Sequence, residues 1–448
     1  MSARTASKSN TDGVLLAVVL LLTCIGILLI FDASYAYALQ RHISGYKYVG
    51  QQAGWAVLGI TAMLIVMRIP YRKLENWAVP LVVTAALLLI AVFIPHIGSH
   101  EVNGARRWVG VGAFRIQPSE IAKLAIVLYI ARLCAGRPKA MSRFTRGPMI
   151  PLCVMAVLAF LIEREPDMGT SLVLLGAGMG ALYFAGMRHR QFFAVFVAGI
   201  VLIGAMLAAK GSSFSRSDTA ASSPDYRTSR IAVWLHPDQN HTGEGYQVYH
   251  SMIALGTGGI FGFGVGNGRQ KYYLPEAHTD FIFATLAEEG GLIASLLVLA
   301  LLGVLVTRGL HIATLTKDPF GAILAGGISA GFGVQTLLNI GVVTSSIPAT
   351  GVPLPFLSYG GSSLLISLVS VGILLSVYRF SDRADVGRVD ATQSAPERDF
   401  ERRRHRGAIL SRPDYARNAA YRGSHGYRQP QVGATKRRRM FGWRRADR

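Results

Sequence analysis

Ionisable residues cluster at the start of a long apolar stretch, within the segment Leu274–Gly290. The cluster comprises Glu276, His278, Asp280, Glu288 and Glu289. A carboxylate at the centre of a bilayer costs at least about 2.5–3.5 kcal/mol, so Glu288 and Glu289 should face a polar cavity or a charged partner. A carboxylate at the water-exposed mouth of a cavity can take a proton from a reacting hydroxyl group. We expect Asp280 to lie at that mouth.

A second group of charges opens another apolar stretch. Glu120 and Lys123 are three residues apart, so on a helix they share one face and can pair inside the membrane. Alternatively, Glu120 offsets the helix dipole at the N-terminus of that helix, where Ser119 is its cap. The residues alone leave both interpretations open.

Apolar stretches of membrane-spanning length make up most of the chain. Of its 448 residues, 51% are hydrophobic and only 16% are charged, which predicts an all-α polytopic membrane protein. The interruption at 210–280 predicts a large extracytoplasmic loop between the seventh and eighth spans. We expect about ten transmembrane helices, at 13–31, 48–67, 77–94, 119–135, 149–162, 170–186, 192–209, 281–307, 319–343 and 364–380.

The distribution of Lys and Arg predicts the orientation of these spans. The short loops expected inside hold twelve Lys and Arg, and those expected outside hold six, so both termini should be cytoplasmic. The predicted parts are a cytoplasmic N-terminus (1–12), a ten-helix domain (13–380) and a basic, disordered cytoplasmic tail (381–448). From residue 379 onward the chain has 19 Lys and Arg against 8 Asp and Glu. The tail can anchor the topology on anionic lipid or dock a partner, but no aromatic platform predicts nucleic acid.

The segment 344–363 contains three prolines and three glycines, which exclude a regular helix through most of its length. Non-helical backbone at membrane depth is tolerated only beside protein or a water-filled cavity. This segment, with Ser358 and Ser362, is therefore expected to re-enter and to line the same site as Asp280.

Five motifs in one order resemble the FtsW/RodA family of shape, elongation, division and sporulation proteins, over about residues 13–380. They are Asn103–Trp108, Gln117–Lys123, Arg164–Thr170, Leu274–Gly290 and Pro353–Ser363. Arg164-Glu165-Pro166-Asp167 is more similar to the division branch, FtsW, than to the elongation branch, RodA. The resemblance implies a peptidoglycan glycosyltransferase that polymerises lipid II for septal or elongation wall synthesis. It also implies the bacterial cytoplasmic membrane, with an extracytoplasmic active site.

The resemblance implies that Asp280 is the catalytic base, whereas its residue type alone equally suits an N-cap of the following helix. A sugar hydroxyl must lose a proton as it attacks an anomeric carbon, and the departing lipid pyrophosphate needs fixed positive charge. Arg106, Arg107 or Lys123 could supply that charge. The expected substrate-binding residues are Arg106, Arg107, Glu120, Lys123, Glu276, His278, Glu288, Ser358 and Ser362.

The resemblance also implies the partners of the chain. They are lipid II, the undecaprenyl-pyrophosphate-linked glycan, a class B penicillin-binding protein, other divisome or elongasome proteins, and membrane lipids. A small-residue face at Gly326, Gly327, Ala330 and Gly331 is expected to contact the penicillin-binding protein, because helices in lipid associate by close packing of small residues. No cofactor is fixed by the sequence, and a divalent cation, Mg²⁺ or Mn²⁺, stays open.

Two other classes of function remain from the residues alone. Intramembrane acids and broken segments are also typical of a transporter or a lipid flippase. No pair of matching interrupted helices in two halves supports that alternative. A non-catalytic scaffold that recruits cell-wall proteins through its tail is the other alternative, but it leaves the buried acids unexplained.

Overall fold

The computed structural model describes residues 11–41, 46–94, 107–111, 114–137, 140–141, 143–145, 147–199, 201, 234, 244–274 and 277–381. The predicted basic tail at 381–448 lies outside the described residues, apart from Ser381. Most of the predicted N-terminal segment at 1–12 also lies outside them.

Eleven α-helices are present in the described part of the chain. They are α1 (Gly13–Arg41), α2 (Tyr46–Val66), α3 (Ala78–Ala91), α4 (Pro118–Ala135), α5 (Met149–Arg164), α6 (Met168–Phe184), α7 (189–199), α8 (Glu244–Thr257), α9 (Ile282–Leu315), α10 (Pro319–Val343) and α11 (Gly361–Phe380). Short 3₁₀ helices precede α3, at Tyr71–Trp77, and α9, at Gln270–Tyr272. Within the described ranges, six helical segments are long and apolar enough to cross a membrane. A largely helical, polytopic membrane fold is thereby confirmed, and the number ten stays a prediction.

Two short strands interrupt the otherwise helical fold. Strand β1 (Val109–Val111) pairs antiparallel with β2 (Phe114–Ile116), with Val109 opposite Ile116. The sequence predicted only a loop here, because three-residue strands are too short to carry an alternating pattern. Strand β2 ends just before α4 begins, so the strand pair fixes the position of the residues that precede this helix.

Helix α9 continues eight residues beyond its predicted end at 307. Arg308 does not end it, since the guanidinium lies 2.9 Å from a carboxylate oxygen of the buried Asp12, just before α1. An ion pair makes a charge at this position tolerable. The ion pair thereby links the start of α1 to the C-terminal half of α9. The loop charges predict that this half points toward the cytoplasm.

Helix α10 packs against α4, α6 and α9, and small residues allow the close approach. A Cβ atom on Gly327 would meet Val127 and Ala181 at 2.6–2.8 Å, and one on Gly331 would meet Ala177 at 3.1 Å. The expectation that this small-residue face contacts a partner protein was therefore wrong. The same packing of small residues operates inside the molecule.

Helix α9 is broken at Gly291, whose φ of 67° and ψ of −166° are accessible to glycine. The loop after α8 supplies hydrogen bonds to the backbone groups that the break exposes. The N–H of Phe263 donates to Glu288 O over 3.1 Å, and the N–H of Leu292 donates to Gly259 O over 3.0 Å. Because buried backbone groups must be paired, the break fixes this loop against α9.

A buried charge cluster ties the same loop to α1. Lys271 Nζ lies 2.7 Å from Asp32 Oδ1 on α1 and 2.8 Å from Glu289 Oε1 on α9. Glu289 also accepts a hydrogen bond from the N–H of Gly268 over 3.1 Å. The expected charged partner of Glu289 is therefore a lysine from the loop, and one cation joins three segments of the chain.

Lys271→Met should strongly lower the free energy of unfolding, because it leaves the carboxylates of Asp32 and Glu289 buried side by side. Removing one partner of a buried ion pair costs about 3–5 kcal/mol. Arg72→Met is the matched control, because the Arg72 side chain is 45% exposed beside Asp318 and such pairs contribute about 0–1 kcal/mol. Unfolding in detergent measures both variants. Equal, small losses would contradict a buried cluster.

Candidate active site

A cavity of about 590 Å³ opens between the N-terminal half of α2, the strand pair, the start of α4 and the two non-helical segments before α9 and α11. Its charged lining residues within the described ranges are Lys47, Arg107, Arg115, Glu120, Asp167 and Asp280. Three cations and three carboxylates thus share one cavity. Ser362, at the start of α11, also lines it.

Asp280 lies in the turn before α9 and is partly exposed to the cavity. The N-cap of α9 is Phe281, and no side chain caps this helix end. The Asp280 carboxylate instead lies against the loop before α11, where a Cβ atom on Gly351 would be 3.5 Å from Oδ2. A carboxylate that is held beside a wet cavity can accept a proton from a bound hydroxyl group.

The cations of the cavity come from three elements. The Arg107 guanidinium donates to Glu165 O over 3.1 Å and also to Pro166 O, so backbone carbonyls fix its position. Arg106 lies outside the described residues. Sequence reasoning counted Lys47 and Arg115 only as loop charges, although Arg115 stands two residues before the motif Gln117–Lys123. A cation that is held in place, as Arg107 is, can stabilise negative charge on a leaving group.

Glu120 and Lys123 form the expected pair, with 2.9 Å between Lys123 Nζ and Glu120 Oε1. Lys123 also donates to Gln335 Oε1 on α10 over 3.2 Å. The cap of α4 is Gln117 without a side-chain bond, so Ser119 does not have the capping role of the alternative interpretation. Glu120 lines both the large cavity and a narrow pocket of about 50 Å³ that adjoins it, whereas Lys123 lines the narrow pocket.

His278 lies in an aromatic cluster at the wall of the cavity. Its ring centroid is 5.1 Å from that of Tyr48 and 5.4 Å from that of Tyr359. The N–H of Tyr359 donates to His278 O over 2.9 Å. Burial lowers the pKa of His278 to about 4, so the imidazole is neutral at pH 7. It shapes the wall and holds the turn that carries Asp280.

Besides Lys123, two predicted substrate-binding residues, Glu288 and Ser358, do not line the cavity. Glu288 accepts hydrogen bonds from the N–H of Arg269 over 2.8 Å and of Gln270 over 3.0 Å, and so fixes the loop after α8. Ser358 Oγ accepts from the N–H of Leu354 over 2.8 Å. Asp280 precedes the first residue of α9, Ile282, so it is not part of the helix that carries Glu288.

Metal ligation was left open by the sequence. Within the ranges that the structure describes, no group of three or more His, Cys, Asp and Glu side chains is arranged to hold a metal ion. Glu276 lies outside the described residues. A divalent cation, Mg²⁺ or Mn²⁺, stays open.

Glu165 lies in the turn between α5 and α6, just behind Arg107, and is only 1% exposed. Neither of its carboxylate oxygens has a hydrogen-bond partner among the described residues. Burial and the charge of Asp167 raise its pKa to about 9, and the charge of Arg107 lowers it only in part. The buried acid is neutral at pH 7, a property that its place in the motif did not reveal.

Glu165→Gln should therefore change the pH dependence of stability. The folded-state pKa of about 9 lies above the ordinary value of 4.5, so the stabilisation is complete below pH 4.5 and is lost as pH rises through 9. Glutamine has the same shape and does not titrate. Between pH 5 and pH 9 the melting temperature of the wild type should fall relative to that of the variant, as measured in detergent. Parallel curves would mean that Glu165 is ionised in the folded protein.

A family model described as "Cell cycle protein", which covers FtsW, RodA and SpoVE, matches residues 12–383. Stage V sporulation protein E of Bacillus subtilis (strain 168) is 39% identical over 380 residues, covering 84% of this chain and 99% of the relative. A probable peptidoglycan glycosyltransferase FtsW of Geobacter metallireducens is 38% identical over 367 residues, covering 82% of this chain and 94% of the relative.

Solved structures are similar over the same region. A chain of a peptidoglycan synthase complex, described as coordinating polymerisation and crosslinking, has a TM-score of 0.67 at 26% identity. That match covers 83% of this chain and 98% of the other. The rod shape determining protein RodA of Thermus thermophilus has a TM-score of 0.59 at 26% identity, covering 83% and 97%.

Proposed function

The chain belongs to the FtsW, RodA and SpoVE family of cell cycle proteins, and from this membership we propose a polymerase of lipid II. It is a multi-pass membrane protein and a peptidoglycan glycosyltransferase. The proposal adds the substrate, the catalytic residue and the side of the membrane. The observation that carries it is one cavity that places the Asp280 carboxylate together with three cations.

The proposed reaction joins two lipid-linked sugars. A hydroxyl oxygen of one lipid II forms a bond to the anomeric carbon of the other glycan, and the bond from that carbon to the pyrophosphate oxygen breaks. Asp280 takes the proton of the attacking hydroxyl. Arg107, Lys47 and Arg115 provide the positive charge that stabilises the departing lipid pyrophosphate.

Each wall of the cavity supports a part of this reaction. Glu120 lines the cavity, and its charge pair with Lys123 is a polar boundary between the cavity and the apolar pocket that adjoins it. The aromatic cluster around His278 forms another wall. Charges interact more strongly beside such protein walls than in bulk water.

The cavity is proposed to open at the outer face of the cytoplasmic membrane, with both termini in the cytoplasm. The bias of Lys and Arg toward the loops expected inside supports this orientation. The proposed partner is a class B penicillin-binding protein that cross-links the new strands. The similar synthase complex, in which polymerisation and crosslinking are coordinated, supports this partner. Relatives named FtsW and the motif Arg164–Thr170 favour a role in division.

Incubation of the purified protein with lipid II, alone and with a candidate partner, tests the activity. Glycan chains on a gel would support a polymerase. Flipping of lipid II without chains would favour the flippase, and neither activity would favour the scaffold.

Asp280→Asn should abolish most polymerisation while the protein still folds and inserts. Asparagine keeps the shape of the side chain but cannot accept the proton, and a general base contributes about 10²–10⁴-fold to the rate. Asp318→Asn is the matched control, since Asp318 is an aspartate at the start of α10 and asparagine can also cap a helix. It should polymerise lipid II at the rate of the wild type. Near-normal glycan synthesis by Asp280→Asn would refute the base.

A further inference from the structure

Two buried amides lie one helical turn apart on α10, on the side that faces the cavity segments. Gln335 is 3% exposed and Asn339 is 1% exposed. A residue and the fourth residue after it share one face of a helix. Both side chains donate to backbone carbonyls of non-helical segments, and not to carbonyls of their own helix.

Asn339 joins the two segments that form the mouth of the cavity. Its Nδ2 donates to Asp280 O over 2.8 Å and to Val352 O over 2.8 Å, so the amide group uses both of its hydrogens. The same two segments meet at the Asp280 carboxylate, which lies beside Gly351. One side chain thus sets the distance between the backbone of Asp280 and the loop against which its carboxylate lies.

The turn that carries Asp280 depends on such contacts for its position. Asp280 precedes the first residue of α9, so the hydrogen-bond ladder of that helix does not fix it. Two residues earlier, His278 O accepts from the N–H of Tyr359 over 2.9 Å. A displacement of about 1 Å in a catalytic group can cost about 100-fold in rate. The amide of Asn339 acts on the backbone of the residue whose carboxylate must be placed.

We propose that Asn339 is a positioning residue, which aims the Asp280 carboxylate at the attacking hydroxyl by holding the Asp280 and Val352 carbonyls together. This inference rests on the proposed function of Asp280 as the base. Gln335 has a different part, since its side chain links Pro353 O to Lys123. Asn339 is therefore the residue of α10 that reaches both segments.

The central experiment compares Asn339→Leu with Ser251→Ala in steady-state lipid II polymerisation. Leucine has the same number and branching of side-chain heavy atoms and no donor. Ser251 is fully buried and donates to Val343 O over 2.8 Å, so its loss removes a buried hydrogen bond at the end of α10 without touching the cavity. Asn339→Leu should lower kcat about 10- to 100-fold and change KM less than twofold. Ser251→Ala should lower the melting temperature but keep kcat within twofold.

Asn339→Asp gives a second readout, and it tests the positioning role of Asn339 even if the leucine variant does not fold. Burial beside two carbonyls favours the protonated acid, which can donate to only one of them. Its kcat should lie between those of the wild type and of Asn339→Leu. The ratio of its kcat to that of the wild type should fall as pH rises. A merely structural amide would lower the melting temperature without this pH-dependent ratio.

Asp280→Asn in the same assay separates the two proposals. If it is inactive while Asn339→Leu and Asn339→Asp have the kcat of the wild type, the positioning role is refuted and the base remains. A rise in KM at unchanged kcat also refutes positioning. Full activity of Asp280→Asn refutes the base, and with it the reason for positioning.

Discussion

Backbone N–H and C=O groups in a membrane protein have no water to bond where they lie at membrane depth, so every non-helical segment there needs partners from the protein. Polar side chains of the helices provide them. Gln52 on α2 donates to Ser358 O over 3.4 Å and accepts from the N–H of Gly360 over 3.3 Å. Asn339 satisfies Asp280 and Val352 in the same way. The cavity exists because these side chains allow irregular backbone between the helices.

Buried charges also hold segments of the chain together. Lys271 joins α1 to α9, and Lys123 joins α4 to α10 through Gln335. Buried ion pairs add little net stability compared with apolar residues, but breaking one is costly. Such pairs therefore favour one arrangement of the segments over others. In this chain that arrangement brings the Asp280 carboxylate within the same cavity as Arg107.

The predicted bounds of a helix agree with the structure where the sequence marks the start of the helix with a capping residue and a proline. The prediction of 319–343 agrees with α10 at Pro319–Val343, because Asp318 caps the helix and Pro319 begins it. The pairing of Glu120 with Lys123 was one of two open interpretations; the structure shows this ion pair and also places Glu120 in the first turn of α4. Glu288 was misplaced because a sequence does not reveal where a turn ends and a helix begins. Gln335 and Asn339 were missed, although two amides one turn apart in an apolar helix are a signal of buried polar contacts.

Hydrogen–deuterium exchange of the detergent-solubilised protein tests most directly whether side chains hold the irregular segments rigid. The amides of Arg269 and Gln270 donate to Glu288, and those of Tyr359 and Gly360 donate to His278 and Gln52. The account predicts that peptides from 262–274 and 354–361 exchange as slowly as the first turns of α9 and α11. Exchange at the rate of an open loop would contradict it, because the cavity would then lack the fixed backbone on which the placement of Asp280 depends.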